Sequence, residues 1–173
     1  MDWLGYGYGG QQKQNWYDQA QVCKNGHLIN SAMKKYPDDN KKFCPECGKE
    51  TICTCEKCGN AIQGELHVEG VANFGGSTVP SFCKDCGAAF PWTKAKLEAA
   101  IELLKEDEEL VAEDIAKFEN NIQDAMSDGP RTLLASTRIG KVLNKTTKFI
   151  GDGVRDILVD VLSEAAKKTI WPS

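Results

Sequence analysis

Three copies of the same short device dominate the first half of this chain: Cys44-Pro-Glu-Cys47, Cys55-Glu-Lys-Cys58 and Cys83-Lys-Asp-Cys86, each followed at once by glycine (Gly48, Gly59, Gly87). Two residues between cysteines let a tight turn aim both sulfurs at one point. A trailing residue at positive φ then closes the turn, and glycine adopts that φ without steric cost. A fourth pair, Cys23-Lys-Asn-Gly-His27, is built around Asn-Gly, a strong turn dipeptide. With eight cysteines and two histidines in 173 residues, the chain has enough ligands for two four-coordinate sites.

No apolar run reaches the ~18 residues of a membrane span. The opening MDWLGYGYGGQQKQNWYDQ lacks a basic stretch leading into an apolar core, so no secretory signal is expected. Cytoplasmic residence follows as the expectation, with cysteines reduced and disulfides disfavoured. Clustered reduced cysteines then point to metal. Thiolate and imidazole in fours suit tetrahedral zinc, and a closed four-ligand site is structural. Iron suits an all-cysteine set, but the knuckle glycines and the histidine favour zinc. The bland alternative, thiols packed as small apolar residues, does not account for the repeated spacing.

We expect two Zn2+ per chain. The ligands are Cys23, His27, Cys44 and Cys47 for one site, and Cys55, Cys58, Cys83 and Cys86 for the other. A cross-braced arrangement, joining first with third pair and second with fourth, leaves little chain between the middle pairs. Here Gly48 to Thr54 intervenes, with Thr51-Ile52 reading as a strand, so sequential pairing is favoured. Cys53 is the extra thiol. It lies near Cys55 on one face if the segment is extended, and it competes with His27 for the first site; His27 is preferred because its turn already makes a pair. Glu65-Leu-His-Val-Glu69 alternates polar and apolar, the mark of a half-exposed strand within the second ribbon, with His67 solvated rather than ligating. The glycine-rich Asn73–Pro80 reads as a mobile hairpin tip.

Charge divides the chain. Residues 1–92 carry net −1, residues 93–129 net −7 and residues 130–173 net +4, within a formal total of −4. Seven thiolates holding two Zn2+ would take the total to about −7. Duplex binding leans on clustered Lys and Arg. The patch Lys34, Lys35, Lys41, Lys42 is partly offset by Asp38 and Asp39, so nucleic acid is the disfavoured partner.

The expected fold class is α+β: N-terminal tandem zinc ribbons of short β-hairpins, then a C-terminal α-helical hairpin or bundle. Three regions are expected: 1–18, a flexible aromatic, Gly- and Gln-rich segment or docking peptide; 19–92, the double ribbon; and 93–173, the helices. Thr93 is read as the cap of the first helix. Leu97, Ile101, Leu104, Val111, Ile115, Phe118, Ile122 and Ala125 form a heptad-like, coiled-coil stripe, unless the acidic cluster Glu106–Glu109 breaks it into two helices. Ile139, Val142, Leu143, Thr146, Phe149 and Ile150 make a second stripe, with a kink or break at Gly151–Gly153. Val154, Ile157, Leu158, Val161, Leu162 and Ala165 make a third, ending at Ile170-Trp171. That last stripe either closes the bundle, supports a homo-oligomer, or meets a protein partner. A membrane-surface role is weakened by Asp156, Asp160 and Glu164.

The arrangement CxNGHxIN … FCPECG … CxxCGxxIxG … FCxxCGxxFPWT resembles an uncharacterised bacterial family with a double zinc ribbon. The likeness continues through DGPRT to ILVDVLSEAAKK and covers roughly residues 17 to 170. It implies metal binding at the same eight positions, leaves Cys53 outside the shared pattern and implies no substrate. A non-enzymatic interaction module is therefore the leading expectation, and a nucleic-acid-binding ribbon the alternative. An enzyme is disfavoured, since no thioredoxin-like βαβ context surrounds any CxxC.

Overall fold

The computed structural model describes residues 15–68 and 78–172; most of the expected mobile tip at 73–80 and most of the N-terminal segment lie outside the described residues. The chain divides into two units, residues 1–86 and residues 87–173.

The first unit is built from very short strands. β1 (Trp16–Gln19), β2 (Gln21–Cys23), β3 (Leu28–Asn30), β4 (Thr51–Ile52) and β5 (Gln63–His67) form two small antiparallel sheets, ordered β3-β2-β4 and β1-β5. Such strands bury little apolar surface: among the described residues of this unit, Val22, Ala20, Ala32 and Ile62 are the buried aliphatic side chains. Polar side chains pin the loops instead. Asp18, 3% exposed, accepts the backbone N–H groups of Gln19, Lys34 and Lys35 at 2.6, 3.0 and 3.2 Å. Despite its desolvation, these N–H groups hold its carboxyl below the ordinary 3.8. Gln21 accepts the Lys41 N–H at 2.9 Å and donates to Thr51 Oγ1 at 3.1 Å. Asn30 accepts the Ala32 N–H and donates to the Tyr36 carbonyl and Asn40 Oδ1. Loop 31–42 is thus fixed from three strands.

Two expectations change here. Trp16–Asp18 belongs to a strand paired with β5, Trp16 opposite His67, rather than to a flexible segment. His67 is not solvated: its side chain is 10% exposed, with Nε2 3.3 Å from Asp18 Oδ2 and its ring 4.3 Å from that of Trp16. Period-two alternation assigns His67 to solvent, but Trp16 and Asp18 of the paired strand β1 lie against its ring.

The second unit contains five helices among the described residues: α1 (Pro91–Lys105), α2 (Ala112–Met126), α3 (Thr132–Leu143), α4 (Lys148–Leu158) and α5 (Glu164–Ile170). α1 begins at Pro91, a residue whose fixed φ and missing N–H suit the first helical position. The cap is therefore Phe90, and Thr93 lies fully buried inside the helix. Of the two readings of the 97–125 stripe, the broken one is correct. Asp107 in the break is 4% exposed; its carboxylate accepts the N–H of Glu109 at 3.0 Å and the N–H and hydroxyl of Thr147 at 2.8 and 3.1 Å.

Thr147 is the residue preceding α4, so this carboxylate ties two inter-helix joints together. The break in the second stripe consequently falls at Asn144–Thr147, and α4 runs unbroken through Gly151 and Gly153. At Gly153 a Cβ would stand 2.8 Å from Leu103 Cδ2, the mobile end of a leucine side chain on α1. The restart also turns Phe149 outward, 82% exposed, while Ile150, Val154 and Leu158 are buried. The third stripe breaks again before Ser163, whose Oγ accepts the Ala166 N–H at 3.2 Å and caps α5. Ala166 is buried and Ala165 exposed, the reverse of the expected assignment. α2 packs on α3, α5 on α3 and α4 on α1. Phe118, Leu104, Ile139, Val154 and Leu158 form the fully buried core.

Candidate metal centres

Two of the ligand turns repeat one hydrogen-bond scheme, and the first turn uses a version one residue shorter. The Cys44 N–H donates to the Lys49 carbonyl at 2.8 Å, and the Gly48 N–H returns to the Cys44 carbonyl at 2.9 Å. Cys55 with Asn60, and Gly59 with Cys55, repeat it at 2.8 Å each. At the first turn the Cys23 N–H donates to the His27 carbonyl at 3.0 Å, and the Gly26 N–H to the Cys23 carbonyl at 2.8 Å. Gly26, Gly48, Gly59 and Gly87 all have positive φ, between 68° and 92°. A short antiparallel bridge supports each of two turns: Phe43 opposite Glu50, and Thr54 opposite Ala61.

These turns bring the expected residues together in sequential order. Cys23, His27, Cys44 and Cys47 form one set and Cys55, Cys58, Cys83 and Cys86 the other; within each, the potential ligand atoms lie within 4.8 Å of one another. In the first set, Cys23 Sγ is 3.8 Å from Cys47 Sγ and 3.5 Å from His27 Nδ1, which is 3.4 Å from Cys44 Sγ. In the second, Cys55 to Cys86 and Cys58 to Cys83 are each 3.7 Å between sulfurs. A disulfide would need about 2.05 Å. A tetrahedral ion with metal–sulfur bonds of about 2.3 Å places its sulfurs about 3.8 Å apart. The donor geometry therefore fits a four-coordinate metal ion in both sets. On the outer side of the first set, His27 Nε2 lies 3.7 Å from Glu46 Oε2, so a carboxylate backs the imidazole.

The thiols are unequal. The N–H groups of Cys58 and Lys57 lower Cys55 to about 7. The Asn60 N–H lowers Cys58, but desolvation and the sulfurs of Cys86, Cys83 and Cys55 outweigh it and push that thiol up to about 12. Burial raises Cys23, against the N–H groups of His27 and Asn25; the Lys49 N–H lowers Cys47. A bound cation takes thiolates, so loading either set releases protons.

Cys53 belongs to neither set. Its carbonyl accepts Gln19 Nε2 at 2.8 Å and the Ile62 N–H at 2.9 Å, so the segment serves the framework through its backbone. His67 sits on Asp18, away from both sets. Sequence reasoning overlooked Asp18, Gln21 and Asn30, which hold loop 31–42 beside the first set; single polar residues carry no spacing signal. It also overlooked Gly64, where a Cβ would lie 2.1 Å from the Ser31 carbonyl oxygen.

Fold and sites define a class: a two-unit protein whose β portion is organised around two tetrahedral Cys/His centres and whose second unit is helical. Within that class the chain belongs to the family described as uncharacterised proteins conserved in bacteria (DUF2321), whose model matches residues 16–170. No curated protein and no solved structure matches it.

Proposed function

We propose that this is a non-enzymatic, cytoplasmic scaffold protein in which two structural Zn2+ ions rigidify the first unit while the helical unit carries assembly or partner contacts. The observation that carries the reading is the closed ligand count. Each set offers four good ligands in tetrahedral spacing, leaving no open coordination position for a reactive water. Structural zinc contributes about 10–16 kcal/mol in small domains, ample for strands that bury so little. Among the described residues no helix is long and apolar enough to cross a membrane. Since Val161, Leu162 and Ile170 are spent inside the helical unit, self-association would use the exposed Leu133, Leu134 and Phe149 instead.

Elemental analysis of the purified chain should give about two zinc per chain, unchanged in Cys53→Ser and reduced to about one in Cys58→Ser. A stoichiometry near one in the parent, with a water-bound metal, would sink the scaffold reading. Sedimentation of the parent against Phe149→Ser and Leu133→Ser tests the assembly role.

One observation favours a second reading, a nucleic-acid-binding ribbon. Tyr36 and Phe43 are half-exposed rings, with Lys35 Nζ 5.2 Å from one centroid and Lys42 Nζ 5.7 Å from the other. Rings beside lysines are a stacking platform for single strands. A gel shift that weakens with salt would support it; absence of any shift at low salt removes it.

A further inference from the structure

The helical unit contains a groove of about 510 Å³ between α2 and α3, lined by Asp114, Lys117, Asn120, Asn121, Arg138, Lys141, Val142 and Lys145. Four of the lining residues are cationic and only one is a carboxylate. We propose that this groove is a binding site for a small phosphate-bearing molecule of about mononucleotide size, a role separate from the metal-stabilised scaffold.

The cations are mounted rather than scattered. α2 contributes two buried anchors on one face, Asp114 and Asn121, 3% and 6% exposed. Asp114 takes Lys145 Nζ on both oxygens, at 2.7 and 2.9 Å, and stands 3.8 Å from Lys117 Nζ. Asn121 is fixed by its own amide donating to the Lys117 carbonyl at 2.7 Å, and its Oδ1 accepts Arg138 Nη1 at 3.2 Å. Two buried polar groups therefore hold an ammonium and a guanidinium at the groove.

α3 supplies the rest of the charge. Arg138 and Lys141 stand three apart on one face of α3, and Lys145 follows in the turn just past its end. Like charges three apart on a helix face repel. Lys141 has no ion pair or hydrogen bond among the described residues, and the one lining carboxylate is already engaged by Lys145. An anion lying between α2 and α3 relieves that repulsion.

The ligand class follows from charge, size and lining. Glu113 pairs with Lys117 at 2.9 Å and Asp114 with Lys145, which leaves Arg138 and Lys141 as the cations without a carboxylate partner; two such charges suit a phosphate ester better than a single carboxylate, and the guanidinium fork matches phosphate oxygens. The volume falls in the range of small-molecule sites, about 300–1,000 Å³. Val142 and the two asparagine amides leave room for a polar organic portion. No aromatic ring lines the groove, so a nucleic-acid strand finds no stacking platform there.

The test uses the full metal-loaded chain and ADP as probe, titrated calorimetrically at low salt, with amide shifts mapped by NMR and inorganic phosphate as competitor. The expected result is saturable one-to-one binding, displaced by phosphate, with shifts concentrated on α2 and α3. Lys141→Gln, which breaks no contact within the fold, should weaken binding about tenfold; Arg138→Gln should do the same or more. Lys94→Gln, a lysine of α1 outside the groove, should leave binding unchanged. Absence of saturable ADP binding overturns the proposal, as does equal weakening by Lys94→Gln and Lys141→Gln. Binding of a single-stranded oligonucleotide without ADP or phosphate binding overturns it too.

Discussion

Gly64 shows how much a single residue does in a unit with so few apolar contacts. Its α-carbon faces backbone on every side: a Cβ would sit 2.1 Å from the Ser31 oxygen and 2.9 Å from the Ala20 nitrogen. The Glu65 N–H donates to that same Ser31 oxygen at 2.8 Å, so neither strand can back away without losing a bond. Gly64→Ala should destabilise the first unit by about 1–3 kcal/mol, read as a lower thermal midpoint of the metal-loaded protein. Gly59→Ala provides the contrast. Nothing lies within 4 Å of its Cβ position, so only the cost of a positive φ remains, about 1–2 kcal/mol. The eight ligands were legible in the sequence because metal chemistry imposes spacing, and spacing survives in a string of letters. Asp18 and Gly64 were not, because what fixes them is the approach of segments far apart along the chain.

At the level of elements, apolar periodicity identified nearly all of the helical sequence but misplaced the break in the second stripe and left the one at Glu106–Glu109 as an alternative. Stripes run on through Glu106–Val111 and Asn144–Thr147 because the neighbouring helices bury similar faces. Asp107, in the acidic run that the sequence offered as a possible break, ties the two breaks together through Thr147. Desolvation raises its carboxyl, but the Glu109 N–H and the Thr147 N–H and hydroxyl outweigh it, leaving it below the ordinary 3.8. A depressed carboxyl stabilises the fold fully above its unfolded value and loses that contribution as pH falls through the folded value. The stability gap between the parent and Asp107→Asn should therefore be widest near neutral pH. It should narrow as pH drops below about 3.8, measured by denaturant titration at stepped pH. A gap independent of pH would show that the ionised form contributes nothing.

For the molecule as a whole, the two units rest on different forces. The first depends on ligands and polar pins; the second has a continuous core of Leu104, Phe118, Ile139, Val154 and Leu158. Chelation should accordingly erase the amide dispersion of residues 15–68 in NMR spectra while far-UV helical signal persists. Simultaneous loss of both would show that the helices need the metal-bound unit. The pairing of Trp16 with His67 also joins segments fifty-one positions apart in the sequence. Those strands meet only after the chain between them has been gathered, and the first metal set lies wholly inside that span. An ion held by Cys23, His27, Cys44 and Cys47 would shorten the remaining closure and lower its entropic cost. A metal held there would thus favour the meeting of β1 and β5, two strands that supply it with no ligand.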